Sequence, residues 1–199
     1  MPSLEYGKYY HIYNRGNNKT DIFQSKEDYL HFQTLVQKYL LTVADLFCYA
    51  YLKNHFHFLV RIKEPVEIEY FKPIKGQKRI QKKPVPYRQF SHLFNAYAKW
   101  FNFKYDRTGS LFEKNFEKKE VIDEEHLKHL VYYIHHNPIH HHFSCNFNDY
   151  PWTSYNAYVE NRQTFIKKEI VLEWFDDLEN FIFFHQEEND ISEIDEFIL

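Results

Sequence analysis

The sequence predicts an α+β fold: a ferredoxin-like split βαβ sandwich with an antiparallel sheet, one extra helix, and a C-terminal helical and acidic extension. Three observations carry this. Stretches rich in aromatic and β-branched residues alternate with stretches whose apolar residues recur at spacings of three and four, in the order strand, helix, strand, strand, helix, strand. The two middle strands are separated by so few residues that only a tight hairpin can join them. The chain has 199 residues, 44% hydrophobic and 27% charged, which fits one globular domain with a tail and excludes collagen-like, disordered and coiled-coil classes.

Each element has its own signal. Lys8 to Asn14 reads as the first strand and ends in the turn-forming run Asn14-Arg15-Gly16-Asn17-Asn18. Ser25 can cap a helix whose stripe is Tyr29, Phe32, Leu35, Val36, Tyr39 and Leu40. Leu46 to Leu52 and Phe56 to Ile62 read as the hairpin strands around Lys53-Asn54-His55. Between Tyr70 and Arg88 the pattern breaks into an exposed basic loop with three prolines and no acid. Helical spacing resumes through Phe90, Leu93, Phe94, Tyr97, Trp100 and Phe101. Leu111 to Val121 is expected to be the fourth strand. Asp123 then caps a helix through Leu127, Leu130, Val131 and Ile134, which Asn137-Pro138 should limit because proline disfavours helical geometry at the residue before it. One more amphipathic stretch is expected over Ile170 to Phe184, followed by a loosely ordered acidic end.

Composition narrows the partners. Glu169 to Leu199 holds 11 acidic residues and no Lys or Arg, which leaves 17 acids against 25 basic residues in the body. A basic body with an acidic tail points to a polyanion. Aromatics are 20% of the chain, with 17 Tyr and 20 Phe, enough to build a core and still offer stacking surfaces. Cys48 and Cys145 are too few for a disulfide framework, and neither has a zinc or redox spacing. With no secretion signal or apolar run long enough to span a bilayer, a cytoplasmic protein without membrane partners is expected.

The chemistry gathers at two places. His55-Phe56-His57 lies at the start of a strand, where side chains alternate, so both imidazoles project from one sheet face roughly 6 to 7 Å apart and can share a metal ion. Tyr133 and Asn137 are four residues apart and share a helical face. A carboxamide oxygen suits Mg²⁺ or Mn²⁺, and a phenol one turn earlier would lie beside the metal. A phenol with a pKa near 10 is a poor nucleophile at neutral pH, and a divalent ion that polarises a phosphodiester lowers the barrier to its attack. Tyr132 is the rival nucleophile, but five residues separate it from Asn137 and the two diverge around the axis. His135, His136, His140, His141 and His142 read as structural or solvent-facing, with orientation of metal ligands or contact with phosphate as the other role open to them. Lys72, Lys75, Lys78, Arg79, Lys82, Lys83 and Arg88 of the basic loop, with Lys114, Lys118 and Lys119, are candidate backbone contacts to nucleic acid. Tyr87, Phe90 and Phe112 could stack on bases, although core packing is the simpler role for each, and Trp100, Trp152 and Trp174 are assigned to packing.

The stretch Leu52 to Val60, with its His55-Phe56-His57, resembles the His-hydrophobic-His motif of the HUH single-strand DNA nucleases. Together with Tyr132-Tyr133-Ile134-His135-His136-Asn137-Pro138, it resembles the IS200-like single-tyrosine transposases, in particular the branch associated with repetitive extragenic palindromes. Tyr10-His11-Ile12-Tyr13-Asn14-Arg15-Gly16 and Arg107-Thr108-Gly109-Ser110-Leu111-Phe112 also look like segments of that family. The resemblance implies a transposase domain over 1–155, with its basic loop at 70–88, and an extension over 156–199. It implies His55 and His57 as ligands of Mg²⁺ or Mn²⁺, Asn137 as third ligand where better-known relatives have glutamine, and the extra helix as the catalytic one. Tyr133 would take the 5' phosphate of cleaved single-stranded DNA and leave a free 3' hydroxyl, which allows strands to be rejoined without ATP, at sites flanked by a hairpin. Insertion-sequence relatives work as dimers and the palindrome-associated branch can act as a monomer, so a homodimer stays open. The competing classes are a non-catalytic, domesticated single-stranded nucleic-acid binder on the same sheet, and a metal-dependent hydrolase that uses water in place of Tyr133.

Overall fold

The computed structural model describes residues 4–70, 82–113, 115–160 and 163–187. Four antiparallel strands, β1 (Tyr9–Arg15), β2 (Ala44–Leu52), β3 (His55–Ile62) and β4 (Glu117–Val121), form one sheet in the order β2-β3-β1-β4. Helices α1 (Lys26–Tyr39) and α2 (Pro86–Lys104) follow β1 and β3. That is the split βαβ arrangement the hydrophobic periodicity predicts. Among the described residues no helix is long and apolar enough to cross a membrane.

Strand alternation divides the sheet into two faces. Phe56 and Phe58 of β3 point to α1 and α2, where Phe32 lies 5.3 Å from the Phe56 ring and Tyr97 lies 4.9 Å from Phe32. Truncating a fully buried ring such as Phe32 costs about 3 to 5 kcal/mol, so this aromatic layer dominates the core. The start of α1 is set by the Asp28 carboxylate, which accepts from the backbone N–H of Gln24 and Ser25 and is itself buried against Lys104 and Tyr105 at the end of α2. The Ser25 cap and the stripe below it stand as the sequence predicts.

The opposite face receives α3 (Glu124–His140), capped by Asp123, whose carboxylate accepts from His126 N–H at 2.7 Å. Expectation fails at Pro138, which lies inside α3. Proline removes one N–H and crowds the carbonyl of Ile134 one turn earlier, yet the helix continues to His140. Here Asn137 O still accepts from His141 N–H at 3.0 Å, and Pro138 O closes the chain reversal by accepting from Phe143 and Ser144.

Two further boundaries differ. The fourth strand begins at Glu117 instead of Leu111, because Asn115 takes a left-handed φ of 60° that breaks the ladder. Leu111 and Phe112 still lie alongside the end of β1, with Asn17 N–H donating to Leu111 O and Glu113 N–H to Arg15 O. The C-terminal stretch is two helices, α5 (Lys168–Trp174) and α6 (Leu178–Gln186), after the short α4 (Tyr155–Val159). Asp176 is at φ 70°, and Asp177 accepts from Asn180 N–H to start α6 afresh. Residues 152–154 and Lys167 bond to the outer edge of β2 through Tyr51, Tyr49 and Leu46. The acidic end after 187 lies outside the described residues.

Candidate active site

The hairpin β2–β3 turns at Lys53-Asn54 and delivers His55 and His57 to the α3 face with ring centroids 5.1 Å apart. Phe56 points into the opposite layer, as alternation requires. From α3, Asn137 places Oδ1 3.3 Å from His55 Nε2, and its amide nitrogen donates back to Tyr133 O at 3.4 Å. The Tyr133 ring meets His57 edge-on, 5.8 Å between centroids. Helix α3 thus presents Tyr133 and Asn137 on one face to the histidine pair. Tyr132 turns away, stacking on His136 at 3.9 Å and meeting Phe184 and His185 of α6.

Proton accounting distinguishes this arrangement from ordinary packing. Burial holds the His55 imidazole down to about 4, with the nearby His141 adding to the effect. Burial, with the His11, His55 and His141 rings beside it, holds His57 well below its ordinary value. Both rings are therefore neutral at pH 7, each with one proton and one lone pair. The His55 proton has two acceptors in reach, Asn54 Oδ1 at 2.7 Å from Nδ1 and Asn137 Oδ1 at 3.3 Å from Nε2; with the proton on Nδ1, at the shorter contact, the Nε2 lone pair and the Asn137 oxygen are both available to a cation. Among the described residues, His57 Nε2 is buried without a hydrogen-bond partner. A cation satisfies all three donors at once, so the residues fit a divalent metal of the kind that accepts mixed imidazole and amide ligands. No group of three or more His, Cys, Asp and Glu side chains arranged for a metal occurs among the described residues.

The histidines open on a cleft of about 630 Å³ whose rim includes Tyr13, Arg15, Lys19, Asn54, Glu113, Glu117 and His141. Sequence reasoning assigned no site role to the β1 residues among these. Tyr9, His11, Tyr13 and Arg15 alternate onto the α3 face, and that period of two in the first strand is the signal that could have found them. Tyr133 does not line the cleft and is only 1% exposed, enclosed by His11, His57 and His140.

The candidate basic contacts divide. Lys119 pairs in register with His11 and shares its face, whereas Lys118 pairs with Ile12 and lies over the Tyr87 ring at 5.9 Å on the other side. Lys82 is exposed, Arg88 is exposed in the first turn of α2, and Lys83 donates to Pro65 O; none lines the cleft. Lys72, Lys75, Lys78, Arg79 and Lys114 lie outside the described residues. Of the stacking candidates, Phe90 and Phe112 are buried and Tyr87 is half-buried. Trp100, Trp152 and Trp174 pack on His31, Tyr29 and Tyr9.

The other histidines of α3 are built differently. His135 is fully buried, with Nδ1 2.8 Å from His185 Nε2 and Nε2 2.8 Å from Ser154 Oγ, and the Cys48 thiol is 3.3 Å away. His136 is buried with Nδ1 donating to Tyr132 O, while His140, His141 and His142 are exposed.

No protein-family model and no curated protein matches the sequence. Among solved structures, the chain is similar to a REP-associated tyrosine transposase bound to a REP hairpin, with a TM-score of 0.57 and 15% identity over 80% of this chain and 83% of that one. At that identity the likeness is one of fold.

Proposed function

We propose that this protein is a metal-dependent single-stranded DNA transposase that cuts and rejoins strands through Tyr133, at sites next to a hairpin. The observation that carries the reading is the meeting of His55, His57, Asn137 and Tyr133 around a buried imidazole nitrogen with no partner. The neighbour of similar fold, itself a tyrosine transposase holding a hairpin, supports the same substrate class.

His55, His57 and Asn137 would hold Mg²⁺ or Mn²⁺, which when bound supplies Lewis-acid polarisation of a phosphodiester. Arg15 and Lys19 on the rim, with Lys119 on the same face of the sheet, would receive the flanking phosphates. Tyr133 Oη attacks phosphorus, the bond to the 3' oxygen breaks, the phenolic proton passes to solvent and the leaving 3' oxygen takes one up. The diester is retained as a 5'-phosphotyrosine, so a 3' hydroxyl from another strand can run the step backwards. Because Tyr133 is enclosed, its ring must swing from beneath His140 before a phosphate can reach the hydroxyl.

The test is incubation with labelled single-stranded hairpin DNAs and Mn²⁺, read as a covalent band on a denaturing gel. Tyr133→Phe keeps the ring that packs on His57 and removes only the nucleophile, so the band is expected to vanish while DNA affinity stays within about twofold. Cleavage that persists without a band in this variant would mean hydrolysis by water, and salt-sensitive binding without cleavage by either protein would mean a non-catalytic binder.

A further inference from the structure

We infer that His11 is a positioning residue that holds His57 in the ring orientation and tautomer in which Nε2 offers a bare lone pair to a divalent cation. This rests on the reading of the histidine pair as a metal site. His11 lies on β1, opposite Leu59 and diagonal to His57, and is 3% exposed. Its Nε2 is 2.9 Å from His57 Nδ1. The His57, His11 and Tyr13 rings form a close triangle with centroids 4.9 to 5.7 Å apart, and the Tyr133 ring meets His57 edge-on, so His57 has little freedom to rotate.

A neutral imidazole carries one ring proton, and only two placements are open to His57. With the proton on Nε2, a buried N–H has no acceptor, the rarer and costlier kind of orphan. With the proton on Nδ1, it is donated to His11 Nε2 and the Nε2 lone pair is left facing the site. The second placement makes every hydrogen bond available and leaves unfilled only the position a cation would take. His55 is held in the same sense by a different neighbour, Asn54, so the two ligands are oriented from opposite ends of the site. Such outer partners typically change metal affinity by 10–100-fold when lost.

Mn²⁺ binding by the full chain, followed by electron paramagnetic resonance, separates the possibilities. His11→Phe keeps a buried ring and removes the acceptor, and is expected to weaken Mn²⁺ binding by about 10–100-fold. His11→Gln restores an acceptor oxygen near the Nε2 position and is expected to recover most of that loss, which a merely space-filling role would not predict. In parallel, ¹⁵N shifts of His57 in the metal-free protein should show Nδ1 protonated in the native and Gln forms. Equal Mn²⁺ affinity of native and Phe forms, or a His57 protonated on Nε2 in the native protein, would overturn the inference. If the Phe form does not fold, the native tautomer alone decides it. Absence of Mn²⁺ binding by the native chain would instead remove the metal reading of the site, and the His57 tautomer would still report whether His11 orients the ring.

Discussion

Helix α3 has histidine chemistry on both sides, and the two sides differ in where their lone pairs go. Facing α6, Phe181 O can only accept, so His185 Nδ1 carries the proton and its Nε2 accepts from His135 Nδ1. His135 Nε2 in turn accepts from the Ser154 hydroxyl, whose oxygen receives the Tyr49 N–H. The chain of bonds closes with no nitrogen of either ring left over. Facing β3, the same count leaves His57 Nε2 without a partner and turns the His55 lone pair toward a carbonyl oxygen. A saturated network fixes a fold, and an unsaturated one awaits a ligand. Both sides bury histidines, His135 and His185 on one and His11 and His57 on the other, so burial alone would not have told them apart.

Exchanging the properties of the two sides should give opposite readouts. The largest effect is expected from His57→Ala, which should lower cleavage per folded molecule by more than about a hundredfold, or some 2.7 kcal/mol of barrier, at a stability loss of about 1 to 3 kcal/mol because the buried ring leaves a cavity and strands His11. Single-turnover cleavage with Mn²⁺ measures this, and unchanged cleavage would erase the distinction. Next is His135→Ala, which leaves a cavity and strands the His185 and Ser154 groups. A stability loss of about 2 to 4 kcal/mol is expected in chemical denaturation, with cleavage per folded molecule falling less than tenfold.

The third effect emerges only as the pH falls. Burial pushes His185 down to about 3, His136 down to about 4 and His135 well below its ordinary value. Their contribution is complete above the unfolded value near 6.5 and is lost as pH falls through the folded values, because the unfolded chain binds more protons in between. Stability should therefore decline from pH 6.5 toward pH 4, by at most about 1.4 kcal/mol per pH unit for each ring. His185→Gln should flatten that slope in urea titrations at several pH values.

Much of this architecture was legible in the sequence where one strong local signal governed one element. Ser25 and Asp123 stand before periodic apolar stripes, and His55 with His57, and Tyr133 with Asn137, share faces by spacing alone. What escaped notice depends on competition between signals. Pro138 sits inside α3 without ending it, in a turn whose Asn137 and Pro138 carbonyls are bonded by the residues that follow, and Asn115 breaks a strand that composition would continue. Asp177 restarts a helix within a stretch whose apolar residues look continuous. His11 was visible as a residue but not as a site, because its role depends on a diagonal neighbour in another strand.

The wiring of the sheet has a consequence in time. The β2–β3 hairpin closes over a two-residue turn, whereas β4 reaches β1 only by closing a loop of roughly 100 residues and, among the described residues, pairs with no other strand. In a chain made from its N-terminus, the hairpin bearing His55 and His57 can settle on β1 while β4 and α3 are still to be synthesised. The histidine floor of the cleft can therefore form before β4 supplies Glu117 to its rim, and Tyr133 can join histidines already in place.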